Sequence, residues 1–255
     1  MTASAPRSRR AVVMASIATA VGLTILVSLG LWQLNRLTWK EALIATLHER
    51  LAAAPVDLPA PSEWSRLTPA NAEFRRVRLH VEFLDAPRAS LYAGAPALRT
   101  DIKSPGYFIF APARLPGGEI VAVNAGWVPP DRQYHWNQWG GGVREIVGYL
   151  RWPERPGLFV SDHDASGAIW FVRDQRAMAK IRGWGEVAPF YIDMESPAPA
   201  GGRPAPGPLI VNLRNNHLGY AWTWFGLAAT LAGVFAFWLW SGRHKTVNAE
   251  PKPSL

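Results

Sequence analysis

The sequence predicts a membrane protein in which two transmembrane helices flank an α+β extracytoplasmic domain. That domain is read as a mainly antiparallel, barrel- or sandwich-like β-sheet. Three observations predict this class. No charged residue occurs between Arg10 and Arg36. None of Asp, Glu, Lys or Arg occurs between Arg214 and Arg243. Between these two runs the hydrophobic period drops to two: Val77, Leu79, Val81 and Phe83 alternate with Arg76, Arg78, His80 and Glu82, the pattern of a half-buried strand.

The first span is placed at residues 11–34. At 1.5 Å per residue it measures roughly 36 Å as a helix, enough to cross about 30 Å of hydrocarbon with some tilt. A core helix of a soluble protein is seldom apolar on every face over that length. Ala18-Thr19-Ala20 has the small residues of a signal-peptide cleavage site, but the apolar run before it is short and continues beyond it, which favours an uncleaved anchor. The second span is placed at residues 218–240, with Trp222 and Trp224 at one end and Trp238 and Trp240 at the other, as interfacial aromatic belts require. The tails, residues 1–10 and 241–255, carry Arg7, Arg9, Arg10, Arg243, Lys245 and Lys252 against the single acid Glu250. Excess positive charge beside the spans places both termini in the cytoplasm and residues 35–217 on the far side of a bacterial inner membrane.

Helical spacing of Leu37, Ile44, Leu47 and Leu51 carries the first helix past the membrane until Pro55. A linker with Pro55, Pro59 and Pro61 follows. Further strands are expected at residues 107–111, 119–124, 143–150, 170–173 and 190–194, separated by Pro116-Gly117-Gly118, Gly140-Gly141-Gly142 and Pro156-Gly157. Residues 175–181 read as a helix.

Composition excludes several chemistries. The 255 residues include no Cys, so disulfides, thiolate metal sites, a Cys nucleophile and covalent haem attachment through Cys are all ruled out. The formal charge of +8 is concentrated in the tails, where membrane topology wants it, and does not indicate a nucleic-acid partner. No nucleophile elbow, phosphate-binding glycine loop or H-E-x-x-H is present, and His48-Glu49 lacks a second His. No enzyme activity is expected. Asp162-His163-Asp164 offers metal-ligand types but sits in a polar turn; Asp193 and Glu195 offer two carboxylates but sit at a strand end.

The informative stretch is residues 215–224, Asn-Asn-His-Leu-Gly-Tyr-Ala-Trp-Thr-Trp. It places an imidazole at the outer mouth of the second span. His217, Tyr220 and Trp224 stand at i, i+3 and i+7, on one helix face. Two readings follow. His217 ligates haem iron while Tyr220 and Trp224 flank the macrocycle and Arg214 or Arg36 pairs with propionates. Otherwise Asn215 or Asn216 caps the helix and His217 only hydrogen-bonds in the headgroup zone.

Asn216-His217-Leu218-Gly219-Tyr220-Ala221 with Thr223-Trp224-Phe225 resembles the second-span motif of the surfeit locus protein 1 family. Leu29-Gly30-Leu31-Trp32-Gln33-Leu34 with Arg36 and Trp39-Lys40 resembles that family's first-span exit. Val123-Asn124-Ala125-Gly126-Trp127-Val128-Pro129 is similar to its N-R-G-W-V-P element, with Ala125 where the family has Arg. Residues 148–154 and 189–193 match in order. The resemblance implies an assembly factor for haem-copper terminal oxidases, chiefly cytochrome c oxidase, that delivers or retains haem a during maturation of the catalytic subunit. It implies His217 as the haem ligand and metal contact, that catalytic subunit as partner, and a haem-synthesis enzyme as a further candidate partner beside membrane lipid. The alternative is a structural chaperone that holds oxidase subunits together and binds no cofactor. Copper delivery fits less well, because the chain has no Cys and few Met to hold Cu(I).

Overall fold

The structure is a computed structural model, and it describes residues 8–94, 96, 98–131, 136–139, 141–154, 163–164, 169–210 and 214–247. The chain divides into two compact units, Met1–Ile44 with Leu213–Leu255, and Ala45–Asn212.

The first unit holds most of helix α1 (Arg9–Ala52) and all of helix α4 (His217–Val247). Both are long and apolar enough to cross a membrane, and together they fit a membrane protein. Their surfaces expose Ile17, Val21, Ile25, Leu31, Leu227, Val234 and Phe237, side chains that water would not tolerate as a continuous coat. α1 runs without a break through Arg36 and Lys40 to Ala52, as the spacing of Leu37, Ile44, Leu47 and Leu51 predicts. Small residues let the helices approach. A Cβ on Gly30 would lie 2.6 Å from Phe225 Cε1, and one on Gly22 would lie 3.0 Å from Leu231 Cδ2. Ala221 and Ala228 are buried on α4. Numbers rise along α1 as they fall along α4 in these pairs, so the two helices run antiparallel. Small residues at such a seam are what van der Waals packing between membrane helices needs.

The second unit is a mixed sheet with short helices. In chain order it comprises strand β1 (Val56–Asp57), a 3₁₀ turn (Pro61–Arg66), helix α2 (Pro69–Ala72), and strands β2 (Arg76–Phe83), β3 (Ala89–Ala93), β4 (Gly106–Arg114) and β5 (Ile120–Val128). A second 3₁₀ turn (Trp136–Trp139), β6 (Arg144–Arg151), β7 (Ile169–Trp170), helix α3 (Gln175–Arg182) and β8 (Val187–Ser196) complete it. The strand order is β1-β2-β6-β8-β5-β4-β3-β7, and β2 also pairs β4 through Glu82 with Arg114 and Phe83 with Ala113. Pairings β1–β2, β3–β7 and β5–β8 are parallel; those of β2 with β4 and β6, of β4 with β3 and β5, and of β6 with β8 are antiparallel. Five of these eight pairings are antiparallel, so the sheet is mainly antiparallel, as expected, and mixed through its three parallel pairings. Long connections, including the stretch that carries α3, allow β8 to lie parallel to β5.

Alternation explains two apolar layers. Val77, Leu79 and Val81 of β2 join Val121, Val123 and Ala125 of β5, Ile146 and Leu150 of β6, and Phe190, Ile192 and Met194 of β8 in one core. Phe83, expected on the same face, is half-buried and packs its ring 5.3 Å from those of Trp136 and Trp139. The opposite faces of β4, β5 and β8 supply Phe108, Phe110, Ala122 and Tyr191 to a second core under β3, β7 and α3.

Elements expected at residues 107–111, 119–124, 143–150 and 190–194 all exist, each longer or shifted by a residue or more. The strand expected at 170–173 is shorter, because Asp174 caps α3: its Oδ1 accepts from the backbone N–H of Arg176 and of Ala177, each at 3.0 Å. Gly183, with φ 71°, ends that helix. Gly140, Pro156 and Gly157, read as separators, lie outside the described residues, as do Arg7, Glu250 and Lys252 of the tails.

Candidate functional site

α4 begins at His217, where the Tyr220 N–H donates to Asn216 O at 3.2 Å. The imidazole does not stand free at the helix mouth. Its Nδ1 lies 2.7 Å from Oε1 of Gln33 on α1. Gln33 is 9% exposed, a buried amide in an otherwise apolar stretch of that helix. With a carbonyl-type oxygen as acceptor, Nδ1 carries the proton and donates it. In a neutral imidazole this leaves Nε2 with an unshared pair. Two residues earlier, the Asn215 side-chain oxygen is buried and makes no hydrogen bond. Two turns further along α1 from Gln33, Lys40 Nζ donates to the backbone oxygen of Arg214.

The other expected site residues divide. Trp224 follows His217 by two helical turns and is half-buried; with Ala221 and Ala228 it falls on the α1-facing side of α4. Tyr220 is 56% exposed, at the margin of that face. Arg214 and Arg36 are exposed, and the Arg36 guanidinium lies 3.8 Å over the ring of Trp39. Gln33 stands in the first-span motif but was not among the expected site residues. Its signal was available: a long amide in the apolar run, inside the segment that carries one of the two membrane motifs.

The remaining candidates sit in the sheet unit. Asp193 Oδ1 accepts from Asn124 Nδ2 at 2.7 Å, and its other oxygen faces Arg151 Nη1 at 3.5 Å. Glu195 takes both Nε and Nη2 of Arg76, at 2.8 and 3.0 Å. Each carboxylate is thus bound to a guanidinium, the arrangement of structural ion pairs. Burial beside Glu195 pushes the Tyr149 phenol up to about 12. Burial also raises Tyr191, whose hydroxyl has no hydrogen-bond partner. Of Asp162-His163-Asp164, Asp162 lies outside the described residues; His163 Nδ1 is 2.7 Å from Asp164 O, and its ring is 4.9 Å from that of Trp170. Among the described residues no group of three or more His, Cys, Asp or Glu is placed to hold a bare metal ion.

Both membrane motifs therefore meet in one place, at the His217–Gln33 bond. A family model described as the SURF1 family matches residues 20–229. Surfeit locus protein 1 of Mus musculus is 33% identical over 230 residues, covering 83% of this chain and 69% of its own length. Surfeit locus protein 1 of Homo sapiens is 32% identical over 216 residues, covering 79% and 69%. A SURF1-like protein of Monosiga brevicollis is 30% identical over 236 residues, covering 88% and 87%. The match takes in part of each long helix and the whole sheet between them, and the chain belongs to the SURF1 family.

Proposed function

We propose that this chain is an assembly factor for cytochrome c oxidase, without catalytic activity of its own, that holds haem a transiently for the oxidase's catalytic subunit. The observation that carries the reading is the imidazole of His217, tied by Nδ1 to Gln33 and left with one nitrogen to offer. A single imidazole cannot hold a bare ion, which needs several protein donors. It suits a metal that arrives with its other ligands, as haem iron does in its macrocycle. Trp224 and Tyr220 supply apolar flanks, and Arg36 and Arg214 supply guanidinium groups for propionates. Haem supplies the redox-active iron; this chain's part is to hold and orient it.

In this reading the sheet unit stands outside the cytoplasm of a bacterial cell, with both tails inside, because the antiparallel helices return the chain to the side it left and Arg9 and Arg10 precede the first span. The β2–β4 pairing supports a sheet that closes as a small barrel rather than remaining open. Two experiments test the function. Purified protein titrated with haem a gives a saturable Soret change that His217→Ala weakens. Deleting the gene lowers the haem a spectrum and activity of the host's cytochrome c oxidase. Loss of oxidase without any haem binding by the protein favours a purely structural chaperone.

A further inference from the structure

We infer that Gln33 is the positioning residue for His217, fixing the imidazole as its Nδ1–H tautomer and aiming Nε2 as the ligand nitrogen; in its ligand aspect this rests on the haem reading above. Four observations converge. The bond is short, 2.7 Å, and joins two different helices 184 positions apart in sequence. Gln33 is one of only two buried residues on α1, the other being Gly30, one turn away. Gly30 is what allows the approach: any Cβ there would strike the ring of Phe225 at 2.6 Å, so its absence brings α4 within reach of a glutamine side chain. Finally, both partners lie in the two membrane segments that carry the family resemblance.

The chemistry needs such a partner. An isolated neutral imidazole exchanges its proton between Nδ1 and Nε2 and rotates about its side-chain bonds. A ligating His almost always donates its second ring N–H to a fixed acceptor, which sets the tautomer and orientation. Gln33 Oε1 is placed as that acceptor before any ligand arrives. Because the acceptor belongs to the other span, the ring is oriented only when α1 and α4 are packed. His217 is thereby set by the assembled helix pair, not by α4 alone.

The test uses the full chain in detergent micelles, labelled with ¹⁵N-histidine and free of haem, with His217→Asn identifying the His217 signals. The expected result is a protonated Nδ1 and a bare Nε2. Gln33→Leu keeps size and loses the acceptor, and is expected to give averaged signals of mixed tautomers. Gln33→Glu keeps an acceptor oxygen and is expected to restore the wild-type pattern. In haem titrations Gln33→Leu is expected to weaken affinity about tenfold to a hundredfold, as loss of such partners does, and Gln33→Glu to retain it. A proton on Nε2 in the wild type, or unchanged ring signals in Gln33→Leu, overturns the inference. Wild-type protein that shows the expected ring signals but binds no haem overturns the haem reading alone, and leaves Gln33 as the group that sets the His217 tautomer.

Discussion

Asn124 and Asp193 face each other across the parallel pair β5 and β8, register partners in the backbone and joined through their side chains at 2.7 Å. Asn124 is bound at both ends, since its Oδ1 also accepts the Gly126 N–H at 3.2 Å. Both residues are buried. Asn124→Leu leaves one carboxylate oxygen without a donor and frees a buried N–H, which is expected to cost about 2–3 kcal/mol. Asn124→Asp sets two buried carboxylates together and is expected to cost more. Thermal unfolding of the purified protein measures both; a Leu variant that melts with the wild type shows that the bond is dispensable.

Gly126 stands where a side chain is barred twice. Its φ is +124°, and a Cβ would lie 2.3 Å from the carbonyl carbon of Ala205. Ala205 is held there by a reciprocal pair with Trp127, N–H to O at 3.0 and 2.8 Å. Gly126→Ala is expected to cost more than about 3 kcal/mol, since strain and backbone clash add. Gly118, with φ +97° and open space around its Cβ position, isolates the strain: Gly118→Ala is expected to cost about 1 kcal/mol. Equal melting temperatures for the two variants contradict the clash.

The alternation in β2 makes a third pair of variants informative. Leu79 is 4% exposed in the first core, whereas Arg78 points outward with Asp57 3.5 Å away. Leu79→Asp buries an unpaired charge and is expected to remove several kcal/mol, enough to unfold a domain of ordinary stability. Arg78→Ala is expected to change stability by under about 0.5 kcal/mol. Limited proteolysis separates them, and equal resistance means the register is wrong.

These residues also show what was legible in the sequence. Val77, Leu79 and Val81 were readable because one face of β2 is buried and the other wet, so the pattern has period two. β4 and β5 are buried on both faces and showed only apolar runs, which fixed their existence and not their ends. β3 and β1 escaped notice. β3 alternates, but two of its three buried side chains are the alanines Ala89 and Ala93, which give a weak apolar signal, and the two residues of β1 are too few to carry a period. The parallel β5–β8 pairing depends on a long crossover, and local sequence carries no trace of it. At the candidate site the sequence supplied His217, Tyr220 and Trp224 as a helix face but not the direction in which that face points. Direction is set by helix packing, which depends on Gly30 and Ala221 and is invisible to a reading of α4 alone.

Tyr149 yields a pH prediction. It is 2% exposed, and burial raises its phenol from 10.0 to about 12. Above pH 10 the unfolded chain releases this proton while the folded chain keeps it until about pH 12. The folded state then binds more protons, so stability falls as pH rises through this window, by roughly 2–3 kcal/mol in total. Tyr149→Phe is expected to flatten that alkaline limb relative to the wild type, leaving the contribution of Tyr191. Urea unfolding at pH 9 and pH 11 measures it, and an unchanged slope with pH shows that Tyr149 does not titrate differently on unfolding.

Gly30 links the packing of the spans to the chemistry of His217. A side chain at position 30 meets Phe225 Cε1 at 2.6 Å and Cζ at 2.7 Å, and an aromatic ring cannot bend aside. Gly22 offers the contrast, since its Cβ would meet only the flexible end of Leu231, at 3.0 Å. Gly30→Leu is therefore expected to push α4 away and break the His217–Gln33 bond, while Gly22→Ala is accommodated by a turn of the Leu231 side chain. The readout is again the ring nitrogens of His217 in ¹⁵N-labelled protein. Gly30→Leu is expected to give the mixed-tautomer pattern of Gln33→Leu although it touches neither bonded group. Phe225→Ala in the same chain makes room for the new side chain and is expected to bring the wild-type pattern back. If Gly30→Leu leaves the ring signals as they were, the bond does not depend on the close approach of the helices, and Gln33 reaches His217 by some other arrangement of the two spans.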